Sequence, residues 1–423
     1  MNVYIIILTF FIPFIYSNDK NIYKSNLSDN DIFAQYYPKA KEILKEMSIK
    51  DKIAQMFFLR YNYNEVLNHI KTFNFGGYIL YAVDFQSHNK NSIKNELEAI
   101  QKELKIKLGL SVDEEGGTVN RISLYKQYRD EPFKSPQNYY NEGGIKKVLE
   151  IEKEKINLIK ELNLNINFAP VADYTANTAS YIYKRTLGQN ITETEKYISE
   201  VVKQGNNNNF TTCLKHFPGY GGNSDTHKGM ARDTRDLEEF RKNDFKPFKA
   251  GINEKVPMIM VSHNIIEKVD PDYPSSLSAK IHKILREELN YSGIIITDDI
   301  SMGAITEFIK NESIATIAIL SGVDIILTSN NTQNYDEVVQ DFEKGIIDIE
   351  QIDNAVTRIL AYKLMYFGDI INYNIVPIKT SNFWTYFIIF FIIFLIGGVA
   401  VYYFLLRKPK VSGVSASDLI DKL

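Results

Sequence analysis

The chain of 423 residues carries a single cysteine, Cys213. No intramolecular disulfide can form, so stability has to come from a buried core. There is no basic block with interleaved aromatics, and the formal net charge is -3, so nothing points to a nucleic-acid partner. No G-x-G-x-x-G opens a helix after a strand-like run, which removes support for a dinucleotide site. Histidine is scarce, six in all, and no H-E-x-x-H or comparably close ligand spacing occurs. A metal centre therefore stands only as a competing reading, with His216, His227 and His263 joined by Asp113 or Asp298. No cofactor is expected.

What is present is ordinary globular composition, 44% hydrophobic and 24% charged, enough for one large domain or two average ones. The ends differ from the middle. Val3 to Tyr16 is an apolar run followed by Ser17 and a polar stretch, which suits a signal peptide over residues 1–17. Because no Lys or Arg precedes that run, an uncleaved anchor is the alternative. Phe383 to Leu406 is uncharged and long enough to span a bilayer as a transmembrane helix, with Trp384, Tyr386, Tyr402 and Tyr403 at its edges. The "RKPK" that follows places a tail, residues 407–423, in the cytoplasm and the preceding chain outside. The expected organisation is a lead-in (18–44), one catalytic domain (45–370), a short linker (371–382) and the membrane helix (383–406). Sequons at Asn26, Asn190, Asn209, Asn290, Asn311 and Asn330 are compatible with glycosylation.

Between the ends, short β-rich runs alternate with longer amphipathic ones. The β-like runs are "KIAQMFFLRY", "FGGYILYA", "LGLSVDEEGG", "NINFAPVAD", "TTCLKHFPG", "VPMIMVSHN", "SGIIITDD" and "GVDIILTS". Helices are predicted over Ser92–Lys105, Ile145–Leu162, Glu193–Gln204, Leu237–Asn253, Ser278–Leu289 and Asn334–Lys344. Near-continuous apolar strands mean burial on both faces, and eight βα units fit an α/β fold of the (β/α)₈ TIM-barrel type. Polar residues gather where strands stop: Asp113 and Glu114, Asp173, Lys215 and His216, His263, and Asp298 with Asp299. In such a barrel these positions converge on one mouth. Carboxylates, Arg185, a lysine and histidines there suit hydrogen bonding to a polyhydroxylated ligand and attack by a carboxylate.

The run "ILREELNYSGIIITDDIS" (Ile284–Ser301) resembles the active-site signature of glycoside hydrolase family 3. In that signature two aliphatics, a basic and an acidic residue precede a glycine, three apolar residues, Ser/Thr and the nucleophilic aspartate. Three further blocks, in order, resemble the β-N-acetylglucosaminidase branch: "VDEEGGTVNR", "NFAPVADYTANTASYIYKRTLG" and "KHFPGYGGNSDTH". The likeness spans about residues 45 to 365. It implies Asp298 as nucleophile, and sugar-binding roles for Asp113, Arg121, Arg185, Lys215 and His216. It also implies an acid/base histidine on a mobile loop, His227, paired with Asp225. The chain departs from the family block at Tyr220, where the usual residue is histidine, and its spacer from Gly221 to Asp225 is one residue short.

A histidine titrates near neutral pH, so it can give and take back a proton without strong tuning. Glycines 219, 221, 222 and 229 would allow the backbone angles of a closing loop. The expected function is a retaining exo-glycosidase acting on oligosaccharides or glycoconjugates that end in β-linked N-acetylglucosamine. The membrane is a partner through the C-terminal helix. A β-glucosidase or phosphorolytic glycosidase of the same family is one alternative, and an inactive surface carbohydrate-binding protein is another. Asp173 is expected to support Arg185, Asp299 to cap a helix, and Glu114 and Glu115 to hydrogen-bond the glycine turn.

Overall fold

Each of the eight β-rich runs contains one strand of a parallel barrel. They are β1 (Phe57–Arg60), β2 (Gly77–Leu80), β3 (Gly109–Val112), β4 (Ile166–Asn167), β5 (Thr211–Phe217), β6 (Met258–Val261), β7 (Ile294–Thr297) and β8 (Ile326–Thr328). The computed structural model describes residues 21–222, 230–309, 312–330 and 332–372. Strand order is β8-β1-β2-β3-β4-β5-β6-β7. An isolated parallel bridge, Ile296 to Ile325, joins the two outer strands, and the Ile300 N–H donates to the Leu327 carbonyl at 3.0 Å. Closure removes the unpaired edges that an open sheet would leave. Strands β2, β3, β6 and β7 are buried along their whole length, which is why they read as mainly apolar runs with no charged residue.

The helices wrap this ring with one apolar stripe each. On Ile191–Asn207 the buried positions are Thr194, Tyr197, Ile198, Val201, Val202 and Gly205, the three-and-four spacing of one helix face. Asn190 starts that helix by accepting the Glu193 N–H at 3.0 Å. Two predicted helices are interrupted. Leu237–Asn253 divides into Leu237–Lys242 and Phe245–Asn253, because Asp244 between them turns inward to Arg235, 2.8 Å away. Ser278–Leu289 becomes Ala279–Lys283 followed by one wide π-type turn, Ile284–Glu288. There Arg286 is drawn into the core to reach Asp324 at 2.7 Å.

Among the described residues no helix is long and apolar enough to cross a membrane. The expected signal peptide (1–17) and transmembrane helix (383–406) lie outside the described residues.

The last described helix, Ile349–Phe367, carries an unusual core group. Lys363 is fully buried, its Nζ donating to Gln55 Oε1 at 2.8 Å and to the Lys107 carbonyl at 2.9 Å, with no carboxylate at that distance. Burial pushes the amine down to about 7. In the unfolded chain it returns to about 10.4, so between these values the unfolded state binds the extra proton and stability rises with pH. We expect denaturant unfolding of the wild type to gain up to about 1.4 kcal/mol per pH unit between pH 7 and 9 relative to Lys363→Met. Parallel pH profiles for the two proteins would show that this amine does not change charge on folding.

Candidate active site

Side chains from the C-terminal ends of the strands meet in one charged cluster. After β3, Glu114 is buried and accepts the N–H groups of Arg121, Ile122 and Ser123 at 2.8, 2.7 and 3.2 Å. It therefore holds the loop that carries Arg121, as a turn-binding residue should. Glu115 does something else. Its two carboxylate oxygens take Arg185 as a fork, Nε at 2.9 Å and Nη2 at 2.7 Å, and one of them also meets Lys215 Nζ at 2.6 Å. Asp113 sits on the other side of Lys215, again at 2.6 Å. Lys155, from the long helix behind, donates to the Glu115 carbonyl at 2.6 Å and fixes the turn from below.

Lys215 and His216 are consecutive in β5, yet both serve the same cluster. The β5–β6 register shifts between Leu214 and Phe217, so the regular alternation of the strand is broken at these two residues. His216 Nε2 lies 3.3 Å from Arg185 Nη2, and its Nδ1 lies 2.8 Å from Asp173 Oδ2. His216 thus bridges the Arg185 guanidinium and the Asp173 carboxylate through its two ring nitrogens. Asp173 also accepts the backbone N–H of His216 at 3.0 Å and of Tyr220 at 2.8 Å. Its expected role as support for Arg185 is thus corrected: Glu115 holds the arginine and Asp173 holds the histidine.

Asp298, at the end of β7, is half-buried, and its Oδ1 accepts the Asp299 N–H at 2.9 Å. Burial would raise its carboxyl, but His263, His216, that N–H and Lys215 outweigh burial and hold it below the usual carboxylate range. Asp299 accepts the Ser301 N–H at 2.8 Å and ties this turn to Ser329 after β8; the next helix, Gly303–Phe308, begins at Met302 with no side-chain cap, so the expected capping role of Asp299 is corrected. Burial opposes the charge on Lys215, and Asp113 and Glu115 more than restore it. The same balance, with Glu115 as the partner, keeps Arg185 charged.

The structure therefore brings together Asp113, Arg185, Lys215 and His216, with Asp298 within their electrostatic reach. Arg121 stands on the adjoining loop, its guanidinium carbon 6.0 Å from the Tyr81 ring centre, and Arg60 stacks on the same ring at 4.6 Å. Asp225 and His227 lie outside the described residues. The competing metal set is not supported by its donors. His216 engages Asp173 and Arg185, while His263 engages Ser276 Oγ at 2.7 Å and the Asp299 carbonyl at 2.9 Å, so both nitrogens of each ring are occupied.

The glycines before the undescribed loop have a packing reason as well as a conformational one. Gly219 and Gly221 have φ of 122° and 54°, where a side chain is strained. A Cβ on Gly219 would lie 2.5 Å from Asp244, and one on Gly221 would lie 2.4 Å from Arg235. Sequence reasoning missed Tyr81 and Arg60, and it expected Glu115 to bind the glycine turn where its carboxylate instead holds Arg185 and Lys215. Tyr81 and Arg60 stand at the ends of β2 and β1, so the strand-end rule could have found them. For Glu115 no local signal exists.

Residues 48–362 match the glycosyl hydrolase family 3 N terminal domain. Beta-hexosaminidase A of Pseudoalteromonas piscicida is 28% identical over 331 residues, covering 70% of this chain and 54% of that protein. A beta-hexosaminidase of Hydrogenovibrio crunogenus is 27% identical over 270 residues, covering 62% of this chain and 74% of the relative. In fold, the chain is similar to a family 3 beta-N-acetylglucosaminidase from Paenibacillus sp. str. FPU-7, with TM-score 0.70 and 23% identity over 79% of this chain and 65% of that one. A beta-glucoside phosphorylase shares the fold equally, with TM-score 0.70 and 19% identity over 80% of this chain and 63% of that one. The chain thus spans about half the length of the first of these relatives.

Proposed function

The chain belongs to glycosyl hydrolase family 3, and from that premise we propose that it is a retaining exo-glycosidase releasing terminal β-linked N-acetylglucosamine. The observation that carries the reading is Asp298, a carboxylate kept ionised at a strand end beside a cluster of sugar-binding donors and acceptors. In the first step an Asp298 oxygen attacks the anomeric carbon and the glycosidic C–O bond breaks. His227 gives its proton to the departing oxygen, leaving a glycosyl ester on Asp298. In the second step His227 takes a proton from water as the water oxygen attacks the anomeric carbon and the ester C–O bond breaks, releasing the free sugar and returning Asp298 as a carboxylate and His227 as the protonated acid. Asp225 orients the imidazole and stabilises its charged form. Asp113, Lys215, His216, Arg185 and Arg121 hold the sugar hydroxyls. Lys215 and Arg185 are pre-positioned by Glu115, so little ordering remains to be done on binding.

The direct test is turnover of an aryl β-N-acetylglucosaminide against the aryl β-glucoside, each with and without phosphate. Preference for the N-acetylated substrate and indifference to phosphate are expected; the opposite pattern would move the assignment to a glucosidase or a phosphorylase. His227→Ala should lose about 10²- to 10⁴-fold on a substrate with a poor sugar leaving group and far less on a nitrophenyl glycoside. Equal losses on both would remove His227 from the proton-donor role. The same reading keeps residues 383–406 as a membrane anchor, checked by detergent-phase partitioning of the full chain; recovery in the aqueous phase would remove it.

A further inference from the structure

Floor and rim of the mouth are joined by a line of aromatic rings on the β4–β5 side. Tyr220, the position where the chain departs from the family block, is buried. Its ring meets the His216 ring edge-on, with centres 5.1 Å apart and planes at 88°. Tyr181, in the loop after β4, leans on the Tyr220 ring at 6.2 Å and 59°. Tyr181 is 37% exposed, one of a handful of large apolar side chains on the described surface. Its hydroxyl accepts from Arg185 Nη1 at 3.2 Å, and the guanidinium carbon lies 5.9 Å from its ring centre.

Depth orders these groups. Arg185 points Nε and Nη2 down to Glu115 and His216, and Nη1 outward to Tyr181. The polar groups of the floor can satisfy the hydroxyls of one sugar ring, and Tyr181 stands beyond them. A pyranose also has an apolar face of C–H bonds, which an aromatic face matches and a set of hydrogen-bonding side chains does not. Of the other exposed apolar residues that follow strand ends, Val83 and Leu124 are aliphatic and offer no such face, and Tyr63 follows β1, three strands round the barrel from β4. The tether to Arg185 and the buttress of Tyr220 restrict the Tyr181 ring before any ligand arrives, which lowers the cost of stacking on it.

The geometry points to Tyr181 as the ring on which the leaving-group sugar stacks, with Tyr220 as the buried wedge that fixes its position. This rests on the exo-glycosidase reading above, and it gives the Tyr220 departure a role in leaving-group recognition. The test compares two substrates with the same terminal sugar: β-N-acetylglucosaminyl fluoride, whose leaving group has no ring, and the β-1,4-linked disaccharide of N-acetylglucosamine. In Tyr181→Ala the disaccharide-to-fluoride ratio of kcat/KM is expected to fall about tenfold, the size of one good ring contact. Tyr181→Phe, which keeps the ring and loses the hydroxyl, should retain most of the wild-type ratio. An unchanged ratio in Tyr181→Ala would overturn the proposal, whether both rates stay or both fall together through Arg185. Failure of the wild type to turn over either substrate would instead overturn the exo-glycosidase reading itself.

Discussion

Replacing Asp298 with alanine is expected to lower turnover of an aryl β-N-acetylglucosaminide by on the order of 10⁴-fold or more, the scale seen when a covalent nucleophile is removed from an otherwise intact site. The fold should survive. Asp298 is half-buried at the strand end, and its own hydrogen bonds are the backbone N–H donated to Val261 and the Oδ1 that accepts the Asp299 N–H. Only the second is lost, at a cost of about 1 kcal/mol. The neighbouring Asp299 cannot substitute, because its carboxylate is committed to Ser301 and Ser329 and faces the β8 side.

Two controls separate chemistry from binding. The alanine variant should still bind the product sugar, since Asp113, Lys215, His216 and Arg185 remain; calorimetric titration with N-acetylglucosamine would read this. Added azide should restore part of the rate with an aryl substrate, because a small anion can occupy the space left by the carboxylate and attack the same carbon. The azide product would then carry inverted configuration at the anomeric centre, since one displacement replaces two. Wild-type turnover in Asp298→Ala, or loss of sugar binding along with turnover, would sink the nucleophile assignment.

The strands were legible because a closed parallel barrel buries both faces of each, which forces runs such as "GIIIT" that few other structures produce. Element boundaries failed where a tertiary partner outweighed local periodicity. Arg235 takes Asp244 out of a helix, and Asp324 takes Arg286 into the core through a π-type turn. The site was legible where motif and strand end coincide, as at Asp113, Lys215 and Asp298. It was not legible where one charged residue works on another far along the chain. Glu115 is 70 residues from Arg185, and Asp173 is 43 from His216. In "VDEEGG" the two glutamates look alike; only folding shows that Glu114 binds backbone while Glu115 binds two cations. That both Lys215 and His216 face the mouth was also hidden, since strand alternation alone would separate them and the regular β5–β6 register breaks between Leu214 and Phe217.

Glu115 is for that reason the second site of a large expected effect. Among the described residues it is the one buried carboxylate shared by Arg185 and Lys215, so Glu115→Ala takes away the Arg185 fork and leaves Lys215 its pair with Asp113. Breaking a buried ion pair on one side costs about 3–5 kcal/mol. We expect unfolding free energy to fall by that order and kcat/KM on the N-acetylglucosaminide to fall about 10²- to 10³-fold as the sugar-binding cations lose their fixed positions. Glu115→Gln preserves volume and isolates the charge. Burial would raise the Glu115 carboxyl, but Arg185 and Lys215 hold it far below the usual carboxylate range. Its folded value is depressed, so its contribution is complete above the unfolded value of about 4.3 and is lost only as pH falls from there towards the folded value. The stability gap between wild type and Glu115→Gln should therefore be flat above about pH 5 and narrow below it. A gap that stays constant into acid would mean that packing at this position matters and its charge does not. A large gap with unchanged kcat/KM would mean that Arg185 and Lys215 keep their places without Glu115.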